Sequence, residues 1–240
     1  MEMMGQSMDI TADIIITRRL EVKDKKENSY NITSTITKMN FNSSMMGQNM
    51  SYDSDKKEDA DSELGKVLKD QVNVPKTMEL DNDGRMINVQ KDTTKKVTDD
   101  VNPMMAMIEK MGAGQDESNG ANDAFMVLTP GVKAGDTWAD SSITDGFKIN
   151  RNYVVKEITG NDATIILTGT QAITNILDNG GMQANIALDS KLAGEILVDV
   201  TTGIVKQRTL TMEGTGNVDV MGQSIPMVTK VTTTSLIKSL

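Results

Sequence analysis

The feature that most constrains this chain is alternation. Met8, Ile10, Ala12, Ile14 and Ile16 fall at every second position, and Asp9, Thr11, Asp13 and Thr17 fall between them, with Ile15 out of phase. A period of two puts successive side chains on opposite faces of an extended strand, whereas an amphipathic helix repeats every 3.6 residues. After a polar turn at 23–28, "SYNITSTITKMNF" writes the pattern again. Tyr30, Ile32 and Ile36 fall on one face, Thr33, Thr35 and Thr37 on the other. Branched Ile and Thr suit a pleated, half-buried surface better than a helix. Two long paired strands are therefore expected at the start of the chain.

The tripeptide Met-Gly-Gln occurs three times, with its glycine at Gly5, Gly47 and Gly222, next to alternating segments. Glycine accepts the positive φ that tight hairpin turns need. The repeat is read as a hairpin tip, with Met packed at the strand end. The first copy is preceded only by "MEM", so the natural chain is expected to begin upstream of Met1.

Between these strands and the second half lie two helical candidates. The charge run at 53–63 reads as a solvated loop entering a short helix in "DSELGKVLKDQ". "VPKTMELDNDGRMINVQ" reads as strand, tight turn, strand, because "DNDG" lacks the further ligands of a calcium loop. "DDVNPMMAMIEKMG", at 99–112, has Pro103 near its start, acidic residues at its N-terminal end and Gly112 to stop it. Met104, Met107, Ile108 and Met111 share one face of that helix. The stripe either faces a closed core or forms a deformable lid over an apolar groove. A Gly-rich polar loop follows at 112–124. Beyond it "AFMVLTPGVKAGDTW", a hairpin around Gly160-Asn161-Asp162, a turn near Thr201–Gly203 and a final Thr-rich segment all read as strands. Trp138, the only Trp, is expected at a strand start, packed on the sheet or against a ligand.

Composition removes whole classes of function. The chain has no Cys and no His. Disulfides, thiolate sites, and Ser-His-Asp or Cys-His catalysis are excluded, and zinc would need carboxylates alone. The net charge of −9 opposes nucleic acid and anionic membrane surfaces. No apolar run reaches the roughly 18 residues of a membrane-spanning helix. There is no Walker loop and no G-x-G-x-x-G, and no paired carboxylates or Ser-Lys spacing stands out. No catalytic residue, metal site or cofactor is expected.

"SYDSDKK", "VPKTMELDNDGRMINVQ", "TPGVKAGDTW" and "YVVKEITGNDATI" together resemble an uncharacterised family of bacterial, Bacteroidetes-type, secreted or lipid-anchored β-rich proteins. The resemblance covers most of the chain and implies an extracytoplasmic location, in the periplasm or on the outer membrane, with a signal sequence removed. It brings no catalytic residues. The order of elements is also similar to the half-barrel of periplasmic lipoprotein carriers, an analogy of architecture alone.

These readings converge on a mainly β fold: a long antiparallel curved sheet, half-barrel-like, with one or two short helices. It forms either a single β-rich domain over 1–240 or two fused β subdomains, 1–98 and 125–240, joined by the helix and polar loop at 99–124. The expected function is non-catalytic binding of an apolar or lipid-like ligand, contacted by Met104, Met107, Ile108, Met111 and Trp138. The alternative is a structural or protein-interaction module of the cell envelope. An open apolar cavity or a filled core on the concave face separates the two.

Overall fold

The computed structural model describes residues 7–45, 47–81, 86–89, 124–144, 146–179, 182–220 and 223–238. Eleven strands form one sheet: β1 (Met8–Lys25), β2 (Ser29–Met45), β3 (Gln48–Asp53), β4 (Pro75–Asp81), β5 (Met86–Val89), β6 (Thr137–Thr144), β7 (Phe147–Thr159), β8 (Asp162–Asn179), β9 (Met182–Asp199), β10 (Val205–Val220) and β11 (Gln223–Lys238). Their order is β5-β4-β2-β1-β11-β10-β9-β8-β7-β6, with β3 also paired to β2. The sheet is curved and does not close into a barrel. This is the mainly β, curved antiparallel architecture that the alternation implies.

One join was not legible locally. β1 runs parallel to β11, from Met8 opposite Met227 to Arg19 opposite Lys238, while the other strand ladders described are antiparallel. The first and last strands therefore lie side by side at the middle of the sheet. β6 to β11 form an uninterrupted meander, whereas β2 shares one edge between β3 and β4. The segment between β3 and β4 leaves the sheet to form a 3-10 turn at Lys57–Asp61 and then helix α1 (Glu63–Leu68). The Ser62 side chain accepts a hydrogen bond from the Gly65 N–H at 2.9 Å and caps α1, and Leu64 and Leu68, four apart, are buried. The charge run at 53–63 is thus a turn and capped helix entry, tied down where Asp59 accepts from the Asp53 N–H at 2.8 Å.

The expected inner face of β1 is the observed one. Ile10, Ala12, Ile14 and Ile16 are buried, Asp9, Thr11 and Asp13 are exposed, and the out-of-phase Ile15 is 46% exposed. β2 departs from simple alternation, because Thr33 and Thr35 are buried along with Ile32 and Ile36. Their register partners, Glu21 and Thr77 for Thr33, Arg19 and Pro75 for Thr35, flank them on the neighbouring strands. The core follows the inner face through β7 to β11, with Ile165, Leu167, Ile196, Val198 and Met227 among its most enclosed side chains. Phe125 and Leu20 pack against both this cluster and a smaller one made by Ile32, Met78 and Leu80.

β-bulges set the curvature of one end. Register shifts occur at Thr37 of β2, opposite Thr17/Arg18, at Val22/Asp24 in β1, Val155/Glu157 in β7 and Val205/Gln207 in β10. All lie toward the end where β7 turns into β8 and β9 into β10. An extra residue bends its strand and increases the local twist, so that end of the sheet is the one most reshaped.

Gly47 lies at a two-residue tip between Met45 and its partner Gln48, with φ +79°. That is the hairpin role expected of Met-Gly-Gln. β10 and β11 pair up to Val220 opposite Gln223, on either side of Met221 and Gly222. Gly222 itself, Gly5 and the whole helical candidate at 99–112 lie outside the described residues. Gly160-Asn161 form the expected hairpin tip between β7 and β8, although Asp162 already belongs to β8. The polar turn at 23–28 is shorter than expected, since β1 continues to Lys25 and the Lys26 N–H donates to the Ser29 carbonyl at 2.8 Å.

Candidate binding site

The meander brings one polar and aromatic group together on the inner face. In β7 the inward positions are Ile149, Arg151, Tyr153 and Val155. β6 pairs with β7 so that Asp140 lies opposite Arg151 and Trp138 opposite Tyr153. The Trp138 and Tyr153 rings are stacked, with centroids 5.1 Å apart and planes 11° from parallel. The Tyr153 hydroxyl donates to Asp140 Oδ2 at 3.1 Å, and Arg151 Nε lies 3.0 Å from Asp140 Oδ1. Asp140 therefore ties the phenol and the guanidinium to one carboxylate.

Beside this group is a cavity of about 280 Å³. Trp138, Asp140, Arg151 and Tyr153 form one side of it, Ile196 of β9 and Arg208 of β10 another, and Phe125 and Met126 complete it. The Phe125–Met126 segment is fastened to the sheet by the Met126 N–H, which donates to the Gly203 carbonyl at 2.7 Å, and by a bridge from Phe125 to Ile204. Burial pushes the Tyr153 phenol up to about 12; Asp140 adds to the rise and Arg151 opposes it. The phenol is thus a neutral donor at any physiological pH.

Of the residues expected to contact a ligand, Trp138 is in this site, two residues into β6 and packed on the sheet. Met104, Met107, Ile108 and Met111 lie outside the described residues. Asp140, Arg151, Tyr153 and Arg208 were not singled out from the sequence. Arg151 carried a readable signal, since it stands in phase with Ile149, Tyr153 and Val155 where an apolar residue belongs. Arg208 stands in phase with Leu210 and Met212 after it, although the bulge at Val205/Gln207 reverses the phase of β10 relative to the residues before it.

A second recess, of about 320 Å³, lies between β1, β2 and β3 and is lined mostly by hydroxyls and amides such as Thr11, Asn42, Ser44 and Asn49. It gathers no aromatic ring and no cation.

The model of a family of unknown function (DUF6263) matches residues 27–205. The chain belongs to this family. The DUF6263 match takes in Trp138, Asp140, Arg151 and Tyr153 and stops short of Arg208, so the aromatic and acidic side of the cavity lies within the family's span. No curated protein and no solved structure matches the chain. Among the described residues no helix is long and apolar enough to cross a membrane.

Proposed function

We propose that this DUF6263 member is a non-catalytic binding protein of the bacterial envelope, acting outside the cytoplasm, and that its ligand has a small apolar or aromatic body. One observation carries the reading: a stacked Trp-Tyr pair walls a cavity on the inner face of the sheet. Aromatic side chains lining an unfilled volume are the usual makings of a small-molecule site. The volume lies just below the roughly 300–1,000 Å³ of such sites. It suits a ring or a short chain, which narrows the lipid-like ligand to something smaller than a pair of acyl chains.

A second reading, a structural or interaction module of the envelope without a small ligand, is favoured by the closed core beside the cavity. Among the described residues Ile165, Val198 and Ala163 are fully enclosed, and this part of the inner face is core. Titration with the uncharged dye N-phenylnaphthylamine, excited directly, separates the readings. Saturable binding that weakens about tenfold in Trp138→Ala supports the binding protein. No saturable binding by folded wild-type protein leaves the structural module. Cell fractionation with the protein wholly in the cytoplasmic fraction would overturn the proposed location.

A further inference from the structure

We propose that the cavity beside Trp138 recognises a carboxylate carried on an aromatic or short apolar body. This rests on the ligand-binding reading above and adds the chemical class of the ligand. Two strands each deliver a guanidinium to the same small volume, Arg151 from β7 and Arg208 from β10. Arg151 stands within the inward run from Ile149 to Val155 on β7, and Arg208 stands in phase with the inward Leu210 and Met212 that follow it on β10. Placing a charge on an apolar face is costly, and two like charges on one cavity more so.

Among the eight residues that line the cavity, the only carboxylate is Asp140, and it is already shared by Tyr153 and Arg151. Arg208 has its own engagement within the fold. A guanidinium carries five N–H donors in a planar fork, so one partner leaves donors over for another. That fork matches a carboxylate in two parallel hydrogen bonds, and a planar anion is the group for which two converging arginines are suited. Phe125, Met126, Trp138 and Ile196 then face the rest of the ligand.

The chain as a whole carries −9, so its long-range field repels anions. Recognition must come from short-range contact inside the cavity. Short-range, partly buried pairs are screened little by salt.

Trp138 is the sole Trp and lies in the cavity wall, so its emission reports occupancy directly. The full chain is titrated with phenylbutanoate and, separately, with uncharged phenylbutanol of the same length. The carboxylate is expected to bind at least about tenfold more tightly than the alcohol. Arg208→Gln should remove that preference without lowering alcohol affinity, Arg208→Lys should restore part of it, and the exposed Lys148→Gln should leave it intact. Thermal melts of each variant show whether it is folded, and the acid–alcohol comparison on wild-type protein decides the matter even where a variant is not. Equal affinity for acid and alcohol overturns the carboxylate inference and leaves the binding reading standing. No saturable change with either probe overturns both.

Discussion

Ala12 of β1 lies opposite Val231 of β11 in the parallel ladder that joins the first strand to the last. Both side chains are buried. Residues from the two ends of the chain therefore meet at the centre of the sheet, and that contact closes only after long loops of chain have been brought together. The inner row of β1 is where this join is held.

That row makes a sharp test of register. Ile14 is 2% exposed and its neighbour Ile15 is 46% exposed. Ile14→Ala is expected to cost about 2–4 kcal/mol in urea denaturation, by transfer and cavity terms. Ile15→Ala should cost under about 1 kcal/mol. A slip of one residue would exchange the two results, so similar losses would contradict the described pairing.

Two glycines should respond to alanine for different reasons. At Gly47 nothing lies within 4 Å of an added Cβ, but φ is +79°. The cost is then conformational alone, about 1 kcal/mol, and Gly47→Asn should recover much of it. At Gly216 an added Cβ would sit 2.0 Å from the Ala187 carbonyl oxygen, in the backbone of the neighbouring strand. A flexible side chain cannot move aside there. Gly216→Ala should cost about 3 kcal/mol or more, and equal melting temperatures for the two variants would refute the distinction.

These contrasts show which parts of the molecule were legible in the sequence. Where alternation is unbroken, as from Met8 to Ile16, the buried face follows from period two alone. Tips such as those at Gly47 and Gly160-Asn161 follow from glycine chemistry. Trp138 could be placed at a strand start because Gly135 and Asp136 precede it. Bulges defeat the same reasoning: the extra residue after Val205 changes the phase of β10, so the inward place of Arg208 could not be counted from residues before it. The burial of Thr33 and Thr35 depends on partners from β1 and β4 that no local pattern reveals. The pairing of β1 with β11 depends on the whole meander between them. The candidate site is assembled by these long-range effects, which is why only Trp138 of its members was anticipated.

The turn between β9 and β10 depends on one carboxylate. Asp199 Oδ1 accepts from the Thr201 and Thr202 N–H groups, each at 3.0 Å, and from the Thr202 hydroxyl at 3.1 Å. The Thr202 backbone bond above all holds the Asp199 carboxyl below its ordinary value, with Thr201 and Lys206 adding to it. A folded pKa below the unfolded value stabilises above the ordinary aspartate value of about 3.9 and loses that stabilisation as pH falls through the folded value. Asp199→Asn should therefore melt lower than wild type at neutral pH, and the gap should narrow in acid. A gap constant from pH about 7 to about 3 would exclude this role for the charge.

The Tyr153 phenol titrates with the opposite sign. Burial raises it to about 12, above the roughly 10 of an unfolded chain. Its contribution is complete below pH about 10 and is lost as pH rises through about 12. Tyr153→Phe also removes the hydrogen bond to Asp140, which should cost about 1 kcal/mol near neutral pH. The Trp138 stack should persist, because it requires the ring and not the hydroxyl. Urea denaturation of both proteins from pH about 8 to about 12 is the measurement. Wild type should begin as the more stable protein and lose that advantage between pH about 10 and 12. Tyr52 is also raised, mainly by burial, but it is common to both proteins and cancels in the difference. If the two curves run parallel across that interval, the Tyr153 phenol ionises as freely in the fold as in the unfolded chain, and its burial does not hold it neutral.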